Sequence, residues 1–142
     1  MYERTYNSNY DSSLSTTDIA KKVRQEIAKM KKTGDLDKGF KFSIRAEYFS
    51  GGSAIRASIT AVPEGVEAYN SEYYDAYNRG ESTYAMSRFS APVKAASEKV
   101  LALINSFNYD GSESMVDYFD VNFYCHSCDP AWNKFDEPQL TR

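Results

Sequence analysis

Residues 40–62, FKFSIRAEYFSGGSAIRASITAV, decide the fold, because apolar and polar residues alternate on both sides of the Gly51-Gly52 pair. A period of two marks a strand with one buried face, and Gly-Gly between two such runs predicts a hairpin. With Gly51-Gly52 as a two-residue turn, Tyr48 faces Ile55, Ala46 faces Ala57, Ile44 faces Ile59 and Phe42 faces Ala61. The opposite face then pairs Glu47 with Arg56, Arg45 with Ser58 and Ser43 with Thr60, so it is polar and carries a cross-strand ion pair. One face is core and the other is wet. Ser50-Gly51-Gly52-Ser53 is no phosphate cradle, since neither a helix nor Gly-Lys-Ser/Thr follows it.

Upstream, Ser15-Thr16-Thr17-Asp18 supplies a capping box for a helix start. Ile19, Val23, Ile27 and Met30 follow at four, four and three residues and form one apolar stripe. Lys21, Lys22, Arg24, Lys29, Lys31 and Lys32 fill the other faces, the last three where the dipole of a helix C-terminus favours cations. Gly34 stops the helix. The segment before residue 15 is polar, with Tyr2, Tyr6 and Tyr10 among Asn and Ser, and reads as a flexible arm.

Downstream, Pro63 ends the second strand. Residues 64–89 are rich in tyrosine and acid, and Val66, Tyr69, Tyr73 and Tyr77 share the spacing of a short amphipathic helix. Tyrosine gives large contact area at low entropic cost, so Tyr69, Tyr73, Tyr74 and Tyr77 are candidate binding residues; the alternative is that they cover the sheet. Ser90 and Pro92 open another helix, with Val93, Ala96, Val100, Leu103 and Phe107 on its stripe. Residues 115–125, MVDYFDVNFYC, alternate again and predict a third strand with Phe119, Val121, Phe123 and Cys125 inward and Asp120 and Asn122 outward.

The expected fold is therefore α+β: a small antiparallel sheet of about three strands, including the hairpin, with helices packed on one face. One domain over 15–129 is expected between an arm at 1–14 and a tail at 130–142, because 142 residues support one core. No apolar run approaches the roughly 18 residues of a membrane span, and the expectation is a soluble, cytoplasmic protein, monomer or homodimer. The net charge of -3 divides into +4 over residues 1–60 (11 Lys/Arg, 7 Asp/Glu) and -7 over 61–142 (6 against 13). That total is too negative for a general nucleic-acid binder and too small for a DNA mimic.

Catalytic chemistry finds few candidates. Cys125, His126 and Cys128 form the one cluster of metal-ligating residue types, but a zinc site wants about four ligands and the chain has no second Cys pair. The cluster stays a weak metal candidate, and no cofactor is expected. Asp117 and Asp120 fall on opposite faces of a strand and cannot work as a pair. No nucleophile-elbow, zincin or Walker pattern is present, so the residues predict no enzyme.

Three segments resemble the large polyvalent-protein-associated domains, family number twenty-nine of that group. Ser15, Asp18, Ala20, Lys21 and Arg24 match its capped helix. Lys41, Phe42, Ser43, Ile44 and Arg45 match its first strand, and Ser50, Gly51, Gly52, Ser53 and Ile55 its turn and second strand. The second strand here lacks the tryptophan common in relatives. The resemblance implies a phage or mobile-element accessory protein that blunts a host defence complex, of CRISPR effector or restriction type, by protein–protein binding. The candidate contact residues are Arg45, Glu47 and Arg56 with the four tyrosines. The alternative is a nucleic-acid-binding accessory module that uses Lys21, Lys22, Arg24 and Lys29 on phosphates.

Overall fold

The computed structural model describes residues 4–111 and 121–141. The chain runs β1 (Thr5–Tyr6), α1 (Thr16–Thr33), β2 (Lys41–Phe49), β3 (Gly52–Ala61), α2 (Ser71–Asn78), α3 (Ala91–Asn105), β4 (Tyr109–Asp110) and β5 (Cys128–Pro130). This is the expected α+β class, with sheets ordered β2-β3-β5 and β1-β4.

The capping box forms as predicted: the Ser15 hydroxyl accepts from the Asp18 amide, and the Asp18 carboxylate accepts from the Ser15 amide. At the other end Gly34, with φ 84°, closes α1 in the left-handed region. Ile19, Val23 and Ile27 are buried, as are Val93, Ala96, Val100 and Ile104 of α3. With Ile44, Ile55 and Ile59 of the hairpin they make one core, in which α1 lies against the hairpin's apolar face and α3 against β5 and α1. Ile104 replaces the predicted Leu103 on the buried stripe, and Phe107 is buried just past the helix end. Ser90 stands at the N-cap of α3, but its side chain makes no capping bond.

The hairpin's two faces are as expected except at Tyr48, predicted inward but 60% exposed, with its hydroxyl bonded to Thr17 at the start of α1; the register differs as well. Ser50 and Gly51 form the turn and Phe49 pairs with Gly52, so Tyr48 faces Ser53, Ala46 faces Ile55 and Ile44 faces Ala57. Each partner moves by two residues, an even shift that keeps the alternation of the two faces. The turn needs one left-handed residue, supplied by Gly51 at φ 91°. Gly52 opens β3 instead, and a Cβ there would meet the Phe49 and Tyr124 rings at ordinary contact distances of 3.5 Å and 3.6 Å.

The third strand of the main sheet also differs from expectation. Residues 112–120 lie outside the described residues, including Asp117, Phe119 and Asp120. What pairs with β3 is β5, and it runs parallel, joining Ala57 to Cys128 and Ile59 to Pro130. Before it, Tyr124 makes an isolated parallel bridge with Ala54. Phe123 and Cys125 are buried as predicted.

Both ends of the described chain are tied down. β1 pairs antiparallel with β4, and the side chains of Asn7 and Asn9 donate to the Asn105 carbonyl and the Ser106 hydroxyl. The expected arm is thereby anchored from Thr5 to Asn9. In the tail, Asn78 donates to the Gln139 carbonyl and accepts from the Thr141 amide. Among the described residues no helix is long and apolar enough to cross a membrane.

Candidate functional site

The polar face of the hairpin is the floor of a groove of about 360 Å³. Ser43, Arg45 and Glu47 of β2 and Arg56 and Ser58 of β3 line it, and residues 124–127 form its wall. That wall has a physical origin. Between the bridge at Ala54–Tyr124 and the pair Ala57–Cys128, the outer chain carries one residue more than β3. Such a bulge bends the strand away from its partner and re-aims its side chains. Here it brings His126 and Ser127 to the groove while Cys125 and Cys128 stay buried.

The charges in the groove are unevenly matched. Arg45 and Arg56 stand directly opposite each other in the ladder. The Arg56 guanidinium donates to both oxygens of Glu47, from Nε at 3.0 Å and Nη2 at 3.2 Å. This predicted ion pair is present, diagonal rather than direct because of the shifted register. The hydrogen bond from Arg56 holds the Glu47 carboxyl below its ordinary value. Among the described residues the Arg45 side chain makes no ion pair and no hydrogen bond. Tyr124 and His126 line the groove with ring centroids 6.1 Å apart, and Phe49 lies beside Tyr124 at 6.2 Å, outside the lining.

The tyrosine segment divides. The helix begins only at Ser71, capped by Asn70, whose side chain accepts from the Glu72 amide. That start turns Tyr74 inward: it is 2% exposed, not a surface residue. Its hydroxyl donates to Glu137 at 2.7 Å and accepts from Arg88 Nε at 3.0 Å, and burial pushes it up to about 12. Tyr69 and Tyr73 meet its ring edge-on, and both are half-buried, as is Tyr77. None of the four lines the hairpin groove. The structure therefore brings Arg45, Glu47 and Arg56 together and leaves the tyrosines at a separate place. The periodicity of Tyr69, Tyr73 and Tyr77 named the wrong member as the core tyrosine; Asn70 as a cap was the signal that sets the helix phase.

The basic residues of α1 are partly engaged. Arg24 donates to the Ile44 carbonyl on β2, and Lys29 pairs with Glu26 at 3.1 Å. Lys21 and Lys22 are exposed and line a shallow depression. Because α1 packs on the apolar face of the hairpin, these lysines and the groove occupy opposite sides of the sheet.

Cys125 and Cys128 are free thiols in the core, and His126 is exposed. Among the described residues no three His, Cys, Asp or Glu side chains gather to hold a metal ion. Searches among protein-family models, curated proteins and solved structures find no match to this chain.

Proposed function

We propose that this chain works without catalysis, as a protein-binding module that covers a partner's surface with the polar face of its β2–β3 hairpin. One observation carries the reading. Two arginines oppose each other across the ladder with a single carboxylate between them. Like charges directly opposite destabilise a sheet, and folding alone gives no reason to keep both. Arginine and aromatic side chains around a shallow groove also make up the anchors on which protein interfaces depend. Phe49 and Tyr124 supply the aromatic part here.

The partner class is a host defence complex of CRISPR effector or restriction type, met in the bacterial cytoplasm, as the resemblance of the helix, strand and turn motifs implies. Tyr69, Tyr73 and Tyr77 extend the contact only if the partner also reaches α2; Tyr74 serves the core.

The test is a phage-plating assay in bacteria carrying an active defence system, combined with nuclease-treated capture on the tagged protein. The expected result is restored plating and a defence subunit that survives nuclease, both lost in Arg45→Glu/Arg56→Glu. An unchanged plating barrier despite folded protein would overturn the reading. So would recovery of nucleic acid with all proteins lost after nuclease, which would point to Lys21 and Lys22.

A further inference from the structure

The unmatched guanidinium defines what the groove takes, an inference that rests on the surface-binding reading above. Arg56 already commits two of its five N–H donors to Glu47. Arg45, opposite it, presents a fork of donors with no acceptor among the described residues. A planar guanidinium matches a carboxylate or a phosphate through two parallel hydrogen bonds. Three hydroxyls, those of Ser43, Ser58 and Ser127, line the same groove and can donate to an anion's remaining lone pairs. Tyr124, with Phe49 beside it, offers an apolar contact next to this polar one.

Between the two anions the surroundings discriminate. Nucleic acid is held by a track of cations that neutralises several phosphates. The groove holds two arginines and one glutamate, hence one uncompensated positive charge. The lysines of α1 lie behind the sheet and cannot extend the track. The chain as a whole carries -3, which opposes a polyanion more than a single carboxylate.

We propose that the groove is a receptor for a glutamate or aspartate side chain on an extended segment of the partner protein. Arg45 takes the carboxylate bidentately, the serine hydroxyls flank it, and Phe49 and Tyr124 cover the neighbouring apolar residue. Glu47 positions Arg56 through two hydrogen bonds.

The probe is a labelled peptide of alternating glutamate and valine, titrated into the isotope-labelled full chain by NMR. Its glutamine counterpart and a single-stranded oligonucleotide of equal charge are the comparisons. Saturable shifts are expected at Arg45 Nε and the amides of Ser43, Ser58 and Ser127. Losing the charge-assisted bonds in Arg45→Gln should weaken binding about tenfold or more, with the spectrum otherwise native. Three results would overturn the inference: no peptide binding, equal binding of the glutamine peptide or of Arg45→Gln, and stronger binding of the oligonucleotide at the same residues. A concentration-dependent dimer that disappears in Arg45→Gln would also overturn it, by making a second copy the occupant. If the peptide fails while Arg45→Glu/Arg56→Glu still abolishes capture of the defence subunit, the carboxylate receptor falls and the surface reading stands. If capture is unaffected as well, both fall.

Discussion

Arg45 and Arg56 face each other across the β2–β3 ladder, and of the two only Arg56 is hydrogen-bonded to Glu47. Strand geometry forces the two side chains into proximity, because directly opposite positions bring them together. Arg45→Gln should therefore raise the urea midpoint at low salt, and the gain should fade as salt screens the two charges. Glu47→Gln should lower it. Unfolding curves at two salt concentrations decide the matter: a lower midpoint for Arg45→Gln would mean that Arg45 supports the fold, and that its role in binding needs another basis.

Tyr74 joins α2, the segment before α3 and the tail, through Arg88 and Glu137. Replacing it with phenylalanine keeps the ring and removes the hydroxyl bonded to both, leaving only the direct ion pair between Arg88 and Glu137. The expected loss is about 1.5–3 kcal/mol, the scale for a hydrogen bond to a charged group. Amide exchange at Thr141 should accelerate with it, because that amide is fixed by Asn78 at the end of α2. Normal exchange in a destabilised Tyr74→Phe would separate the tail from the latch.

The same latch sets a pH dependence. Hydrogen bonds from Tyr74 and then Arg88 hold the Glu137 carboxyl below its ordinary value of 4.5. A lowered value in the folded chain means that the ionised form is favoured there. Its contribution is complete above about 4.5 and is lost as pH falls through the lower, folded value. The tail should thus stay bound from neutral pH down to about 4.5 and loosen only below it. Glu137→Gln should abolish that acid step, which tail amide signals followed by NMR would reveal.

Much of this fold can be read from residues close together in sequence. Ser15 with Asp18 marks the start of α1, Gly34 its end, and the alternation of 40–62 the two faces of the hairpin, because each is a local rule of backbone geometry. The register could not be read so closely. Gly51 and Gly52 look equivalent as turn residues, and no local spacing says that Gly51 takes the left-handed turn position while Gly52 opens β3. The parallel partner of β3 was hidden for a similar reason, since three residues at Cys128–Pro130 are too few to show a period. Arg45, Glu47 and Arg56 were legible as a wet face. The groove was not, because its wall depends on a bulge that exists only once residues 124–128 lie beside β3.

The two cysteines illustrate how position overrides a motif. Burial pushes the Cys125 thiol up to about 11 and the Cys128 thiol up to about 12. Thiolate is the reactive form, so both should resist an aromatic disulfide reagent at pH 8 in the native chain and react together on denaturation. Rapid modification of either thiol in native protein would contradict their place in the core.

Two glycines with different constraints give the last test. Gly51 has φ 91° and nothing within 4 Å of where a Cβ would stand. Alanine there meets only the left-handed backbone strain, about 1–2 kcal/mol. Gly39 has no such φ, but its Cβ would lie 2.5 Å from the Pro63 Cα and 2.8 Å from the Pro63 Cβ. Those atoms belong to a ring and a backbone fixed by the end of β3, next to the buried Phe40. Relieving the collision means moving the chain where it enters β2 or leaves β3, whereas relieving strain at Gly51 moves an exposed turn. Gly39→Ala should therefore destabilise more than Gly51→Ala, and Gly51→Asn less than either, since asparagine tolerates the left-handed region. Urea midpoints of the three variants measure the order directly, and a Gly39→Ala as stable as the parent chain would show that the approach of residue 39 to Pro63 is not required for packing Phe40.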